Sequence, residues 1–285
     1  MSKRIGFVDY KLENYHANIY LKAVREDLAE RGFEVAGCFG LDADVGRDWA
    51  RKNGVPWFDS AEALDRAVDV YAILAPSNPE LHADLCARVF PRRKTTYVDK
   101  TFAPDLKTAR EIFALADRYG LAMQTSSALR YTGIQAHVRA AGPASVRHLA
   151  VWGGGRSFAE YAIHPVEIAV SCLGPNVARM MTLGSEPQRR LLLEFEGGRS
   201  ALVNVFTQAT TPYAAAVTTD RETKLIVPDC GRLFIDAAAA MLDLFETGRV
   251  HVDRAESLMI RAILDAAECP GSEGRWVAIG EGLAS

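Results

Sequence analysis

The feature that most constrains this chain is the alternation of two periods over its first 125 residues. Short apolar runs at Arg4–Val8, Glu34–Phe39, Val70–Leu74, Thr95–Val98 and Leu121–Thr125 read as strands. Between them lie segments of helical period: 16–31, stopped by Gly32; 44–53, ended by Gly54; a helix from Pro79 to about Phe90, with Asn78 as its cap; and Asp105–Tyr119. The helical breaks carry the expected glycines, and Pro79 suits a first turn. Strands alternating with helices imply parallel βαβ units, hence an α/β fold with a doubly wound sheet.

After residue 125 the pattern changes. Strand-like runs follow one another at Val146–Trp152, Ala178–Leu183, Arg190–Phe195, Ala201–Thr207, Ala214–Thr219, Lys224–Val227 and Arg232–Ile235. Gly197-Gly198 marks a hairpin turn between two of them. One helix (about Tyr161–Cys172) precedes this series and two follow it, near 236–246 and 254–268. This is an α+β pattern with a largely antiparallel sheet, open on one face. The expected domains are therefore 1–125 and 126–285. An open sheet needs a cover, and a second copy of the chain is the expected one, as a homodimer or homotetramer.

Composition sets outer limits. A net charge of −3 gives no basic field for nucleic acid. Five scattered cysteines form no zinc-type spacing, which fits a reducing cytoplasm. The start, Met-Ser-Lys-Arg, enters a strand without the apolar stretch of a signal peptide. No run approaches the ~20 apolar residues of a membrane helix.

Four short motifs fall in order on this framework. They are Ala75-Pro76-Ser77-Asn78-Pro79-Glu80-Leu81-His82, Val98-Asp99-Lys100-Thr101, Leu129-Arg130-Tyr131, and Glu160 followed four residues later by His164. Together they resemble the marks of the Gfo/Idh/MocA family of sugar-type dehydrogenases: a Pro-Asn-then-His segment, a Glu-Lys-Pro motif, an Arg-rich start of the second domain, and an Asp-x-x-x-His motif. The resemblance spans about residues 3–270. It implies a Rossmann-like first domain, NAD or NADP as cofactor, and hydride transfer to or from a hydroxyl of a sugar, sugar acid or cyclitol. Oxidising an alcohol requires a group that takes the hydroxyl proton as hydride leaves carbon. The resemblance gives that chemistry to Lys100 and His164, with Glu160 supporting the imidazole from the same helix face. It puts Lys100, Arg130, Tyr131, Glu160 and His164 on the substrate. The cofactor falls to Asp9, Tyr10, Lys11, Leu12, Asn14, Pro76, Ser77, Asn78, His82 and Asp99, with no metal.

The turn after the first strand departs from the dinucleotide fingerprint Gly-x-Gly-x-x-Gly. Gly6 lies inside the strand, and Asp9-Tyr10-Lys11-Leu12-Glu13 fills the loop. The acidic residue expected after the second strand is replaced by Cys38-Phe39-Gly40, with Asp42 two residues beyond. A carboxylate about 4 Å from a phosphate repels it by ~1 kcal/mol in water and ~4 kcal/mol at an effective dielectric of 20. Asp9 and Glu13 thus oppose the attraction of the helix end. Either the loop is rebuilt, with Lys11, Asn14 and backbone amides holding the dinucleotide, or the site is repurposed. In the second case Asp9, Asn14, His16 and His82 converge on a sugar, a metal or nothing. The alternatives to a dehydrogenase are a lyase or isomerase on a polyhydroxylated substrate, or a non-catalytic ligand sensor.

Overall fold

The computed structural model describes residues 3–279. The chain packs into two units. Among the described residues, the first runs to Ser126 and takes in Phe234–Asp253; the second holds Ser127–Leu233 and the chain from Arg254 to residue 279. Two contiguous domains meeting at 125/126 therefore do not describe the packing in full, because a later segment returns to the first unit.

In the first unit, β1 (Lys3–Asp9), β2 (Phe33–Gly40), β3 (Val70–Ile73), β4 (Thr96–Val98) and β5 (Met123–Thr125) form a parallel sheet of order β2-β1-β3-β4-β5. The crossovers are α1 (Tyr15–Lys22), α2 (Ala43–Asn53), α3 (Ala61–Asp65), α4 (His82–Val89) and α5 (Leu106–Tyr119). β1 and β3 are buried along almost their whole length, as strands covered on both faces must be. Gly6 has a packing role: a Cβ there would meet Tyr71, Leu64 and Val68 at 3.1–3.2 Å. Asp42 and Asp105 cap α2 and α5, accepting from Val45 N and Thr108 N. Gly54 and Gly120 end those helices at φ 60° and 65°, where glycine carries no Cβ penalty.

Two expectations change here. The single helix over 16–31 is three pieces: α1, a wider π-type turn at Ala23–Asp27, and a 3₁₀ turn at Ala29–Arg31 before Gly32. Asn78 does not cap a helix. Its amide donates to Glu80 Oε1 at 2.9 Å, and Pro79–Leu81 is a 3₁₀ turn leading into α4.

The second unit opens with α6 (Gly133–Ala141), a helix absent from the reading above, and then β6 (Val146–Gly154). Next come α7 (Phe158–Tyr161) and α8 (Ile163–Leu173), followed by β7 (Val177–Leu183), β8 (Gln188–Phe195), β9 (Arg199–Phe206), β10 (Ala214–Thr219) and β11 (Thr223–Ile226). With β12 (Val277–Ala278) these strands form a sheet of order β11-β10-β6-β9-β8-β7-β12, antiparallel except for β6 beside β9. Gly197 and Gly198 turn between β8 and β9 at φ 75° and 76°. α8 packs on β6 and β9. Leu149, Val151, Leu191, Leu193, Ala201 and Val203 are fully buried. Their alternates Ala150, Met181, Leu192, Leu202 and Ala216 are only partly buried, and cross-strand register aligns them in one row.

The last two helices are α9 (Leu233–Thr247) and α10 (Arg254–Glu268). The run Arg232–Ile235, read as a strand, instead enters α9. Its β-branched and aromatic start gives way to the strong helix formers Ala237–Leu242, which decide the local structure. α10 packs on α8, whereas most of α9 belongs to the first unit.

Candidate functional site

In an open sheet of order 2-1-3-4-5, ligands bind outside the carboxyl ends of the strands where the winding reverses, beside β1 and β3. The ends of β1, β3 and β4 carry Asp9, Ala75-Pro76-Ser77 and Asp99-Lys100.

Asp9 organises this edge. It is buried, and its carboxylate accepts from Lys11 N and Asn14 Nδ2, each at 2.9 Å. It also accepts from the backbone of Ala75. Ala75 holds φ at 42°, a left-handed conformation costing an alanine roughly 1–2 kcal/mol. The Asp9 bond helps to offset that cost. Burial pushes the Asp9 carboxyl above its ordinary value, against the hydrogen bonds from Lys11, Ala75 and Asn14 and the nearby His82. Asn14 in turn caps α1, accepting from Ala17 N at 2.9 Å.

A second contact joins His16 Nδ1 to the Asp99 carboxylate. Asp99 is buried and also accepts from Lys100 N at 2.8 Å and the Tyr97 hydroxyl at 3.4 Å. The His16 ring packs edge-on against Tyr20 and Phe234. Lys100 is 6% exposed, donates from Nζ to Pro76 O at 3.3 Å, and precedes a cis peptide to Thr101.

Several expected contacts are corrected by this geometry. The Leu12 side chain is fully buried core, which leaves only its backbone for a ligand. His82 is also fully buried, and its two ring nitrogens face Phe102 O at 2.9 Å and Leu74 O at 2.8 Å, so it clamps the chain together. Tyr10 is half-buried, and its carbonyl accepts from Asp42 N at 2.9 Å. Lys11 and Ser77 are exposed, while Pro76 is buried.

The turn still suits a dinucleotide, by another route than glycine. Among the described residues no acceptor is recorded for the backbone N–H groups of Leu12, Glu13, Tyr15 and His16. Such unpaired donors at a helix start favour an anion. The charge objection weakens too. Glu13 is paired with Lys52 at 3.1 Å, and burial disfavours the ionised form of Asp9. After β2, Asp42 spends one oxygen on capping α2.

In the second unit, His164 lies on α8 and Glu160 on α7. The expected single helix is interrupted at Ala162, whose backbone nonetheless stays helical. His164 Nδ1 lies 2.7 Å from Ser127 Oγ, and the rings of Tyr161 and Tyr213 flank the imidazole at 6.0 and 5.7 Å. Burial pushes the Tyr213 phenol up to about 12, with smaller contributions from Tyr161 and Cys230. Arg130, expected on the substrate, is instead spent inside its own unit. It bonds Glu167 Oε1 and Glu256 Oε2, each at 2.5 Å. Burial opposes the charge of Arg130, but the two carboxylates outweigh it and raise the guanidinium above its ordinary value. Tyr131 follows, half-buried.

Sequence reading left His16 out of the cofactor set and did not single out Ser127, Glu167 or Glu256. Only His16 carries a local signal, its place two residues after the capping Asn14. The others are defined by partners far along the chain.

Residues 6–127 match the model of an oxidoreductase family with an NAD-binding Rossmann fold. No curated protein matches the chain. Among solved structures, a myo-inositol dehydrogenase from Corynebacterium glutamicum aligns with a TM-score of 0.81 at 12% identity, covering 98% of this chain and 99% of that one. An NAD-binding oxidoreductase from Klebsiella pneumoniae gives 0.80 at 13%, with the same two coverages. An oxidoreductase from Agrobacterium radiobacter, in complex with NAD+, L-tartaric acid and magnesium, gives 0.79 at 15%, covering 98% and 99%. At such identities the likeness is one of fold.

Proposed function

The first unit of this chain belongs to the Gfo/Idh/MocA oxidoreductase family, and from that premise we propose that the protein is an NAD(P)-dependent dehydrogenase of a sugar, sugar acid or cyclitol. The observation that carries this reading is the buried Asp99-Lys100 pair ending β4, in line with the polar turn after β1. The turn amides of Leu12, Glu13, Tyr15 and His16 would hold the diphosphate, and Pro76, Ser77, Asn78 and Asp99 would bound the cofactor further along the sheet edge. When bound, the nicotinamide supplies the hydride acceptor. Lys100 is the first unit's candidate for taking the hydroxyl proton; within the second unit, His164, with Glu160 four residues before it, and Tyr131 are the polar candidates for holding substrate.

The partly buried row Ala216, Ala150, Leu202, Leu192 and Met181 supports a second copy as the cover of the sheet. Leu202→Glu should then shift the mass in light scattering to that of a single chain. Among the described residues, all five cysteines are free and no helix is long and apolar enough to cross a membrane. Free thiols support a cytoplasmic setting.

The test of the function is titration with NADH and NADPH, followed by nicotinamide fluorescence and thermal shift. A cofactor at 100 times its Kd should stabilise the fold by about 2.7 kcal/mol. No response to either at millimolar concentration would remove the dehydrogenase reading. With a cofactor bound, Lys100→Ala should slow turnover by about 10²–10⁴-fold.

A further inference from the structure

Ser127 is fully buried and caps the 3₁₀ turn Ala128–Arg130. Three contacts fix it. Its N–H donates to the Glu167 carboxylate, its carbonyl accepts from Arg130 N at 3.1 Å, and its Oγ accepts from Leu129 N at 3.2 Å. A hydroxyl has one proton to donate and two lone pairs. The Leu129 amide takes one lone pair. Among the described residues, the only acceptor recorded for the hydroxyl proton is His164 Nδ1, at 2.7 Å. An imidazole nitrogen that accepts a hydrogen bond bears no proton, so the proton of the neutral ring sits on Nε2.

We propose that Ser127 is a positioning residue that fixes neutral His164 as its Nε2-protonated tautomer, so that His164 meets a substrate oxygen as a hydrogen-bond donor and not as a base. The proposal rests on the reading that His164 takes part in the chemistry. Turning the ring over would exchange Nδ1 for a carbon and forfeit the Ser127 bond, and Tyr161 and Tyr213 flank the ring in its present pose.

The consequence is that the proton of an oxidised alcohol goes to a group other than His164, which neither gains nor loses one. Its N–H stabilises the charge that develops on the oxygen, the role a neutral imidazole can fill as an electrophile. The group recognised is thus a carbonyl or alkoxide oxygen.

The test is a long-range ¹⁵N–¹H correlation spectrum of protein labelled at histidine, recorded above pH 7, with His164→Gln to assign the ring. The expected pattern is a protonated Nε2 and a bare Nδ1. Ser127→Ala should turn it into a tautomer mixture, and Ser127→Thr should restore it. A protonated Nδ1 in the unaltered protein overturns the proposal, as does an unchanged pattern in a folded Ser127→Ala variant. Should Ser127→Ala fail to fold, the unaltered protein and Ser127→Thr decide the tautomer. Because the spectrum needs neither cofactor nor substrate, failure to bind NAD(P) would remove the proposed function and leave this result standing. In an active preparation Ser127→Ala should lower kcat on the order of 10- to 100-fold with KM little changed, by analogy with the loss seen when the partner orienting a metal-bound imidazole is removed.

Discussion

The polar network after β1 and the one around Arg130 are built on opposite plans. The first closes mainly over short range: Asp9 meets Lys11 and Asn14 two and five residues on. The second is long-range throughout, Arg130 reaching Glu167 and Glu256 across 37 and 126 residues. A short-range network forms with its loop, and although Asp9 is buried, its half-buried partner Asn14 stands where water can replace a lost donor. A long-range buried one exists only once the unit has packed, and removing one partner strands the others away from solvent.

The sharpest way to break this contrast is Arg130→Ala. It leaves two carboxylates without their cation and should cost about 3–5 kcal/mol in urea unfolding. A loss below about 1 kcal/mol would mean that the triad behaves like a surface pair. Asn14→Ala removes the cap of α1 and one donor to Asp9, and the expected cost is about 1–2 kcal/mol by the same assay. If it matched Arg130→Ala, the contrast between the two plans would fail.

A smaller effect concerns pH. The raised Asp9 carboxyl binds its proton more tightly in the folded chain than in the unfolded one. Its contribution to stability therefore declines as pH rises from the unfolded value, near 3.9, through the folded one. Asp9→Asn should remove that part of the slope, so melting temperatures of variant and parent should diverge progressively across this window. A gap that stays constant with pH would show that Asp9 does not titrate there. Smallest of all, Lys52→Ala breaks an exposed pair with Glu13 and should change stability by no more than about 0.5 kcal/mol. It should nonetheless weaken NADH binding by restoring the Glu13 charge beside the turn, a difference that the fluorescence titration reads directly.

The same contrast governs what could be read from the sequence. The βα alternation of the first unit was legible because each element announces itself within a few residues, through period and stopping glycines such as Gly32 and Gly54. The departure from the glycine fingerprint was legible too. Its remedy, Asp9 folded inward against Lys11 N and Ala75, was not, since burial is a tertiary property. His82 looked like a ligand contact, yet two backbone carbonyls take its ring. Arg130 looked like a substrate residue, because nothing local reveals Glu167 and Glu256. Arg232–Ile235 looked like a strand because the β-branched run is short, and the helix formers that override it come later.

The return of α9 ties the first unit together late. Phe234 meets the rings of Tyr15, His16 and Tyr20 edge-on, Asp243 and Glu246 hold Arg31, and Gln124 accepts from the amide of His251. During translation the five-stranded sheet therefore leaves the ribosome roughly ten seconds before the helix that completes it. In that interval the ring of Tyr20 stands without its Phe234 neighbour.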